Sequence, residues 1–247
     1  MANYQTFAQL YDNLFDGELY LQWRDYVQVN VPDKQGKLLD LAGGAGRLAV
    51  LLAQAGYQDV SVFDLSPEML SLAMKHAEEA KVTIPLIEGD MTEWSDLPIQ
   101  YQTITSFADS FNYLGKKAQL KETFTQVYQH LLADGQFLFD MITPYQIKEV
   151  YPGYMYNWHD EETAFLWSSY EGERPNSVEH ELTFFVYQEE IDGYQQLQEL
   201  HYEYAYTLAE IKDLLAEVGF KDIEVHADFG QAPVSETTTR WFFKAHK

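Results

Sequence analysis

Residues 37–56 read KLLDLAGGAGRLAVLLAQAG, and the fold follows from how this stretch breaks. Leu38, Leu39, Asp40 and Leu41 form a short apolar run carrying one acid, after which the chain turns through Gly43-Gly44-Ala45-Gly46. Leu48, Leu51, Leu52 and Ala55 then recur at helical spacing, and Gly56 is placed to stop that helix. Strand, glycine turn and helix in this order make the ligand-binding corner of a doubly wound α/β sheet. Glycine lets the backbone approach a ligand closely, and the helix N-terminus offers unpaired N–H groups to it.

The unit repeats downstream. Asp59–Asp64 (DVSVFD) is a buried-type strand ending in an acid, followed by Ser66-Pro67-Glu68, a helix start with serine at the cap and proline in the first turn. Asp64 lies 18 residues past Gly46, where an acid suits the hydroxyls of a ribose. A helix to about Ala80 leads to a strand at Ile84–Ile87 and then Glu88-Gly89-Asp90-Met91, a second acid at a strand end. The fourth strand, Tyr101–Phe107, runs into Ala108-Asp109-Ser110-Phe111. A helix carrying Leu120, Phe124, Val127, Leu131 and Leu132 precedes the turn Ala133-Asp134-Gly135 and a fifth strand, Gln136–Met141. Five alternations of strand and helix predict a mostly parallel sheet.

Residues 150–206 break the rhythm with alternating aromatic-rich runs at 164–170, 178–187 and 197–206. This pattern predicts an inserted antiparallel meander. Leu200, Tyr202, Tyr204 and Tyr206 share one face of the last run, with Glu199, His201 and Glu203 on the other. The aromatic face is the expected lid surface, and the acidic face reads as solvated. The α/β pattern resumes at Thr207-Leu208-Ala209-Glu210, a capping box. Ile211, Leu214, Leu215 and Val218 form its apolar stripe, Gly219 the stop, and two closing strands follow at 221–226 and 238–245.

Near the N-terminus, Tyr4, Phe7, Tyr11, Phe15, Tyr20, Trp23 and Tyr26 recur at three- to five-residue spacing, as in one or two helices lying over the sheet. Core packing accounts for most of these rings. Tyr4 and Tyr11 are also placed to cover a cationic ligand, because an aromatic face attracts positive charge.

Composition bounds the function. The chain has 247 residues, 46% hydrophobic and 15% aromatic, enough for a packed core, and its formal charge is −23. With 16 basic residues against 39 acids, a nucleic-acid partner is disfavoured. The absence of cysteine excludes disulfides, thiolate metal sites and a cysteine nucleophile, and no metal is expected. The first residues lack a secretory leader pattern, and no apolar run approaches the ~18 residues of a membrane span, so a cytoplasmic protein without a membrane partner is expected.

Taken in order, LLDLAGGAG, VFDLSPEML, EGDM, ITSFADSFNYL and HLLADGQFLFD resemble the class I S-adenosylmethionine-dependent methyltransferases over residues 1–145 and 205–247. The resemblance implies a seven-stranded Rossmann-like sheet formed by 1–149 and 207–247, with 150–206 as a substrate lid. It implies S-adenosyl-L-methionine as cofactor and S-adenosyl-L-homocysteine as product. Asp40, Ala42, Gly43, Gly44 and Gly46 would face the methionine part, Asp64 and Leu65 the ribose, and Asp90 and Met91 the adenine. Phe107 and Asp109 would border the methyl-transfer site, and Tyr4 and Tyr11 would cover it. Ala42 departs from the family, which most often has glycine there. Asp109 and Tyr11 are the catalytic candidates, ahead of His159, His180, His201 and His226, each of which is favoured as a structural or surface residue. The motif of amino-methylating nucleic-acid enzymes, Asn-Pro-Pro-aromatic, is replaced by Ala108-Asp109-Ser110-Phe111, which directs the acceptor expectation to a small molecule or a protein, the small molecule first.

Two alternatives stay open at this level. Gly44-x-Gly46-x-x-Ala49 nearly satisfies the dinucleotide fingerprint of NAD(P)-dependent oxidoreductases, and a non-catalytic nucleotide-binding domain would share the same turn. Against the first, Asp40 would repel a pyrophosphate at the turn, and Asp90 would have no ribose left to bind.

Overall fold

Leu38 to Leu41 are all buried, as a continuous apolar run in an interior parallel strand requires. The computed structural model describes Ala8, Leu10, Asp12 and residues 17–247, so the expectations for Tyr4 and Tyr11 lie outside the described residues. The main sheet has seven strands: β1 (Lys37–Leu41), β2 (Asp59–Asp64), β3 (Leu86–Glu88), β4 (Tyr101–Ser106), β5 (Leu131–Ile142), β10 (Lys221–His226) and β11 (Arg240–His246). Their order is β3-β2-β1-β4-β5-β11-β10, with β11 antiparallel to β5 and to β10 and the remaining pairings parallel. From β1 the chain moves outward to β3 and returns to β4 on the opposite side of β1. That reversal opens a crevice at the carboxyl ends of β1 and β4, where ligands bind in open α/β sheets.

Helices α1 (Gly17–Asn30), α2 (Arg47–Gln54) and α3 (Pro67–Ala80) cover one face through a core that includes Trp23, Leu48, Leu52 and Leu70. Helices α4 (Lys117–His130) and α5 (Leu208–Val218) cover the other through Leu120, Phe124, Ile211 and Leu214. The caps are those the sequence specifies. Ser66 Oγ accepts from the Met69 N–H at 3.2 Å, and Thr207 and Glu210 exchange the two bonds of a capping box.

Two boundaries move. Helix α4 ends at His130, and Leu131 already pairs with Tyr101; the register then shifts so that Thr103 meets Gln136. The expected turn at 133–135 is thus a bulge within one long strand, with Asp134 left-handed at φ 63°. Strand β3 sits two residues later than its apolar run suggests, because only 86–88 reach the register of Val62–Asp64.

The insertion forms a four-stranded antiparallel sheet, β6 (Met155–His159), β7 (Thr163–Glu171), β8 (Ser177–Gln188) and β9 (Gly193–Tyr204), paired in that order. Strand β6 is absent from the sequence reading because all five of its residues are exposed, which leaves no alternation to see. The facing of β9 is the reverse of expectation. Leu200 and Tyr202 are 46% and 45% exposed, whereas Glu203 is 5% exposed. Register explains the reversal: Val178 pairs with Glu203 and His180 with His201, which puts both β9 polar residues on the inward face. Asn112, fully buried, ties this sheet to the main one. Its Oδ1 accepts from the Ile142 N–H at 3.0 Å, and its Nδ2 donates to the Tyr204 carbonyl at 2.9 Å.

Candidate functional site

Two adjoining cavities open at the carboxyl ends of β1 and β4, sharing Trp23, Ala108 and Tyr113 as walls. The first, about 170 Å³, is lined by Asp40, Ala42, Gly43, Gly44, Ala45, Tyr20 and Phe107 among others. Its floor is Asp40, 3% exposed, whose Oδ1 accepts from Thr105 Oγ1 at 2.9 Å. Burial, with Asp64 nearby, outweighs that hydrogen bond and pushes the Asp40 carboxyl up to about 7. Such an acid in a cavity wall is suited to a cation.

The turn is shaped by close approach. A Cβ at Gly43 would lie 2.9 Å from Asp40 Oδ2, whereas Gly44, at φ +53°, has nothing within 4 Å of its Cβ direction and leaves the cavity open. Ala42 is itself left-handed at φ 54°, a conformation strained for a residue with a side chain. Gly46 has a packing duty instead: a Cβ there would come 2.8 Å from Ala73 Cβ, and Gly46 is outside the lining.

Asp64 braces the turn from the next strand. Its Oδ2 accepts from the Gly44 N–H at 2.7 Å and its Oδ1 from the Ser66 N–H at 2.9 Å. Burial raises its carboxyl above the usual range, opposed by these backbone bonds. Asp64, Leu65, Asp90 and Met91 all lie beyond Gly44, outside the cavity lining. Leu65 is 67% exposed, and Asp90 Oδ1 accepts from both the N–H and the hydroxyl of Thr92 at 2.8 and 2.7 Å. Asp64 closes β2 with Leu65 just beyond it, and Asp90 and Met91 lie just past the end of β3. On the other rim, Asp12 pairs with Arg47 at 2.5 Å and with His76 Nε2 at 3.2 Å, while His76 Nδ1 donates to the Ala45 carbonyl at 2.8 Å. The pairing with Asp12 raises the His76 imidazole.

The second cavity, about 260 Å³, lies between the main sheet and the inward face of the inserted one. Phe165, Trp167, His180, Leu182, His201 and Glu203 come from β7–β9, and Asp109, Tyr151 and Arg240 from below. Arg240 Nη1 lies 2.9 Å from Asp109 Oδ1 and 3.0 Å from Asp140 Oδ1. Asp140 also accepts from the Asp109 N–H and from Trp23 Nε1, both at 2.9 Å. This network holds Ala108 and Asp109 in left-handed backbone, each at φ 58°.

Among the sequence candidates, Asp40, Ala42, Gly43, Gly44 and Phe107 line the first cavity, and Asp109, His180 and His201 the second. His159 is exposed on β6, and His226 sits on β10 beside Glu224 at 3.5 Å; neither lines either cavity. The sequence reading missed Glu203, Trp167 and Arg240. The alternation of β9 did separate Glu203 from the tyrosines, but which face turned inward was not in the strand itself.

Residues 38–135 match a methyltransferase-domain family, Methyltransf_25. The chain is 38% identical to "Putative methyltransferase GWCH70_2453" of Geobacillus sp. (strain WCH70), covering 99% of each. It is 35% identical to "Putative methyltransferase YqeM" of Bacillus subtilis (strain 168), covering 99% of this chain and 97% of that one. A solved S-adenosylmethionine-dependent methyltransferase from Clostridium acetobutylicum ATCC 824 is 26% identical, covers 97% of each chain and superposes with a TM-score of 0.83. A buried acid under the turn, where a dinucleotide would bring its pyrophosphate, accords with these likenesses and not with an oxidoreductase. The chain belongs to the class I S-adenosylmethionine-dependent methyltransferases.

Proposed function

We propose that the glycine-turn cavity holds the methionine part of S-adenosylmethionine and that the adjoining chamber receives a small-molecule methyl acceptor. Residues 150–206 then serve as the lid on a body made by 1–149 and 207–247. The observation that carries this reading is the shared wall of Trp23, Ala108 and Tyr113, which puts an acceptor in one cavity next to a donor in the other.

The residues present fit the cofactor. Asp40 offers a buried acceptor to the methionine ammonium, and the turn leaves open space at Gly44. Asp64 has lone pairs left for the ribose hydroxyls, and the exposed Leu65 with Asp90 and the Met91 backbone offers a shelf for adenine. When bound, the cofactor supplies an electrophilic methyl on a sulfonium, and the chemistry of transfer is its own. The protein's part is alignment and exclusion of water. Trp23 and Phe107, stacked with centroids 6.3 Å apart, wall the junction. Asp109, paired with Arg240 at 2.9 Å, holds the β4 loop in place.

A chamber of this size between two sheets suits a small acceptor, and the charge of −23 disfavours a nucleic acid. No helix among the described residues is long and apolar enough to cross a membrane. Calorimetric titration with S-adenosylhomocysteine and with NAD tests the assignment of the first cavity. Binding of the former, weakened by Asp40→Asn, is expected; equal binding by that variant would move the methionine site elsewhere.

A further inference from the structure

Glu203 is the acid in the chamber that the reading above leaves unused. It is 5% exposed, and its Oε2 is buried without a hydrogen-bond partner among the described residues. His180 Nε2 lies 3.7 Å from it and is also buried without a hydrogen-bond partner among the described residues. The far side of the His180 ring is fixed: Trp167 Nε1 donates to Nδ1 at 3.1 Å, and the Ser169 hydroxyl bonds the same atom at 2.7 Å. An indole N–H can only donate, so Nδ1 is an acceptor and the single ring proton sits on Nε2. The Nε2–H of His180 therefore faces Glu203 without the distance of a good hydrogen bond.

The charges around the chamber do not cancel. Arg240 is shared by Asp109 and Asp140, and Glu203 adds a further carboxyl to the same chamber. His201 adds no compensating cation: burial lowers it, its Nε2 lies 3.2 Å from Glu199, and its Nδ1 is 3.0 Å from the Tyr113 hydroxyl. Burial and the nearby Asp109 hold the Glu203 carboxyl above its usual range. The rest of the wall is apolar or aromatic: the rings of Trp23, Tyr113, Tyr151, Phe165 and Trp167, with Leu19, Ala108 and Leu182 between them. A buried acid with an open valence inside aromatic walls fits a small organic cation and repels an anion.

We propose that the methyl acceptor is an amine that enters as its ammonium form, and that Glu203 is the catalytic residue that binds it and takes its proton. This rests on the assignment of the chamber as the acceptor site. The step balances. One N–H proton passes from the ammonium to Glu203. The freed nitrogen lone pair then forms the N–C bond to the methyl as the C–S electron pair departs with sulfur. The product nitrogen carries the positive charge, and Glu203 returns its proton to solvent.

The test uses the full chain saturated with S-adenosylhomocysteine, with tryptophan fluorescence as the signal, since Trp23 and Trp167 line the chamber. The probes are choline and its uncharged isostere 3,3-dimethylbutan-1-ol. Saturable choline binding is expected, at least tenfold tighter than the isostere. Glu203→Gln should weaken choline at least tenfold while leaving the S-adenosylhomocysteine dissociation constant unchanged. Equal affinity for the two probes, no saturable choline binding, or choline binding indifferent to Glu203→Gln overturns the proposal. The probe comparison on the unaltered chain stands even if the variant does not fold. Failure of S-adenosylhomocysteine itself to bind is a different result: it removes the cofactor-site reading, and this inference with it.

Discussion

Thr105 Oγ1 donates to Asp40 Oδ1 at 2.9 Å, joining β4 to β1 at the point where the sheet reverses direction. That one hydroxyl leaves the buried carboxyl under-compensated, and burial, with Asp64 adding to it, pushes it up to about 7. Only the ionised form pairs with a methionine ammonium. With this value the ionised fraction rises from about a tenth at pH 6 to about nine tenths at pH 8. S-adenosylhomocysteine affinity is therefore expected to rise roughly tenfold over that range, and to lose this dependence in Asp40→Asn. The ligand-free protein should behave oppositely. A carboxyl raised in the folded state binds protons there that the unfolded chain has lost, so stability falls as pH climbs from about 4 to about 7. Titration calorimetry at pH 6, 7 and 8 and denaturant melts from about pH 4 to about pH 7 check both signs.

Ala42 lines the cavity in left-handed backbone at φ 54°, where a Cβ costs roughly 1–2 kcal/mol. Ala42→Gly relieves that strain and gives back about 0.4–1 kcal/mol through a freer unfolded chain. A Tm increase of roughly 1–3 °C is expected, with cofactor affinity undiminished. A lower Tm would mean that the Ala42 methyl packs productively.

Asp64 accepts two backbone N–H bonds, from Gly44 and Ser66, before any ligand is considered. Asp64→Ala removes the brace of the turn together with the ribose acceptor. At about 1.5–3 kcal/mol for a hydrogen bond to a charged group, S-adenosylhomocysteine affinity should drop on the order of 100-fold. Affinity within a factor of three of the parent would place the ribose site elsewhere.

Arg240 sits between two carboxylates, one of them in the fully buried side chain of Asp140. Arg240→Met strands both, and a loss of roughly 3 kcal/mol in urea unfolding is expected. Adding Asp140→Asn to that variant should restore part of the loss, because the cost lies in the unpaired charge. No recovery would mean that Arg240 acts through packing.

The local elements were legible because their signals are local. Ser66-Pro67 and Thr207…Glu210 specify helix starts by which side chain can reach which N–H, and the structure uses both as written. The glycine turn, the acids at the ends of β1 and β2 and the parallel sheet follow equally from short-range pattern. Strand β6 was not legible, since five exposed residues give no alternation, and β5 began early because pairing with Tyr101 overrode the helical stripe at Leu131.

The sequence by itself determined a mostly parallel α/β sheet, the turn and Asp40 beneath it, all consequences of periodicity and backbone freedom within a few residues. Tertiary structure alone decided which face of β9 became the inside. A strand's alternation defines two faces without saying which one another layer will cover. Pairing with β8 settled it, turning Tyr202 outward and burying Glu203 beside His180.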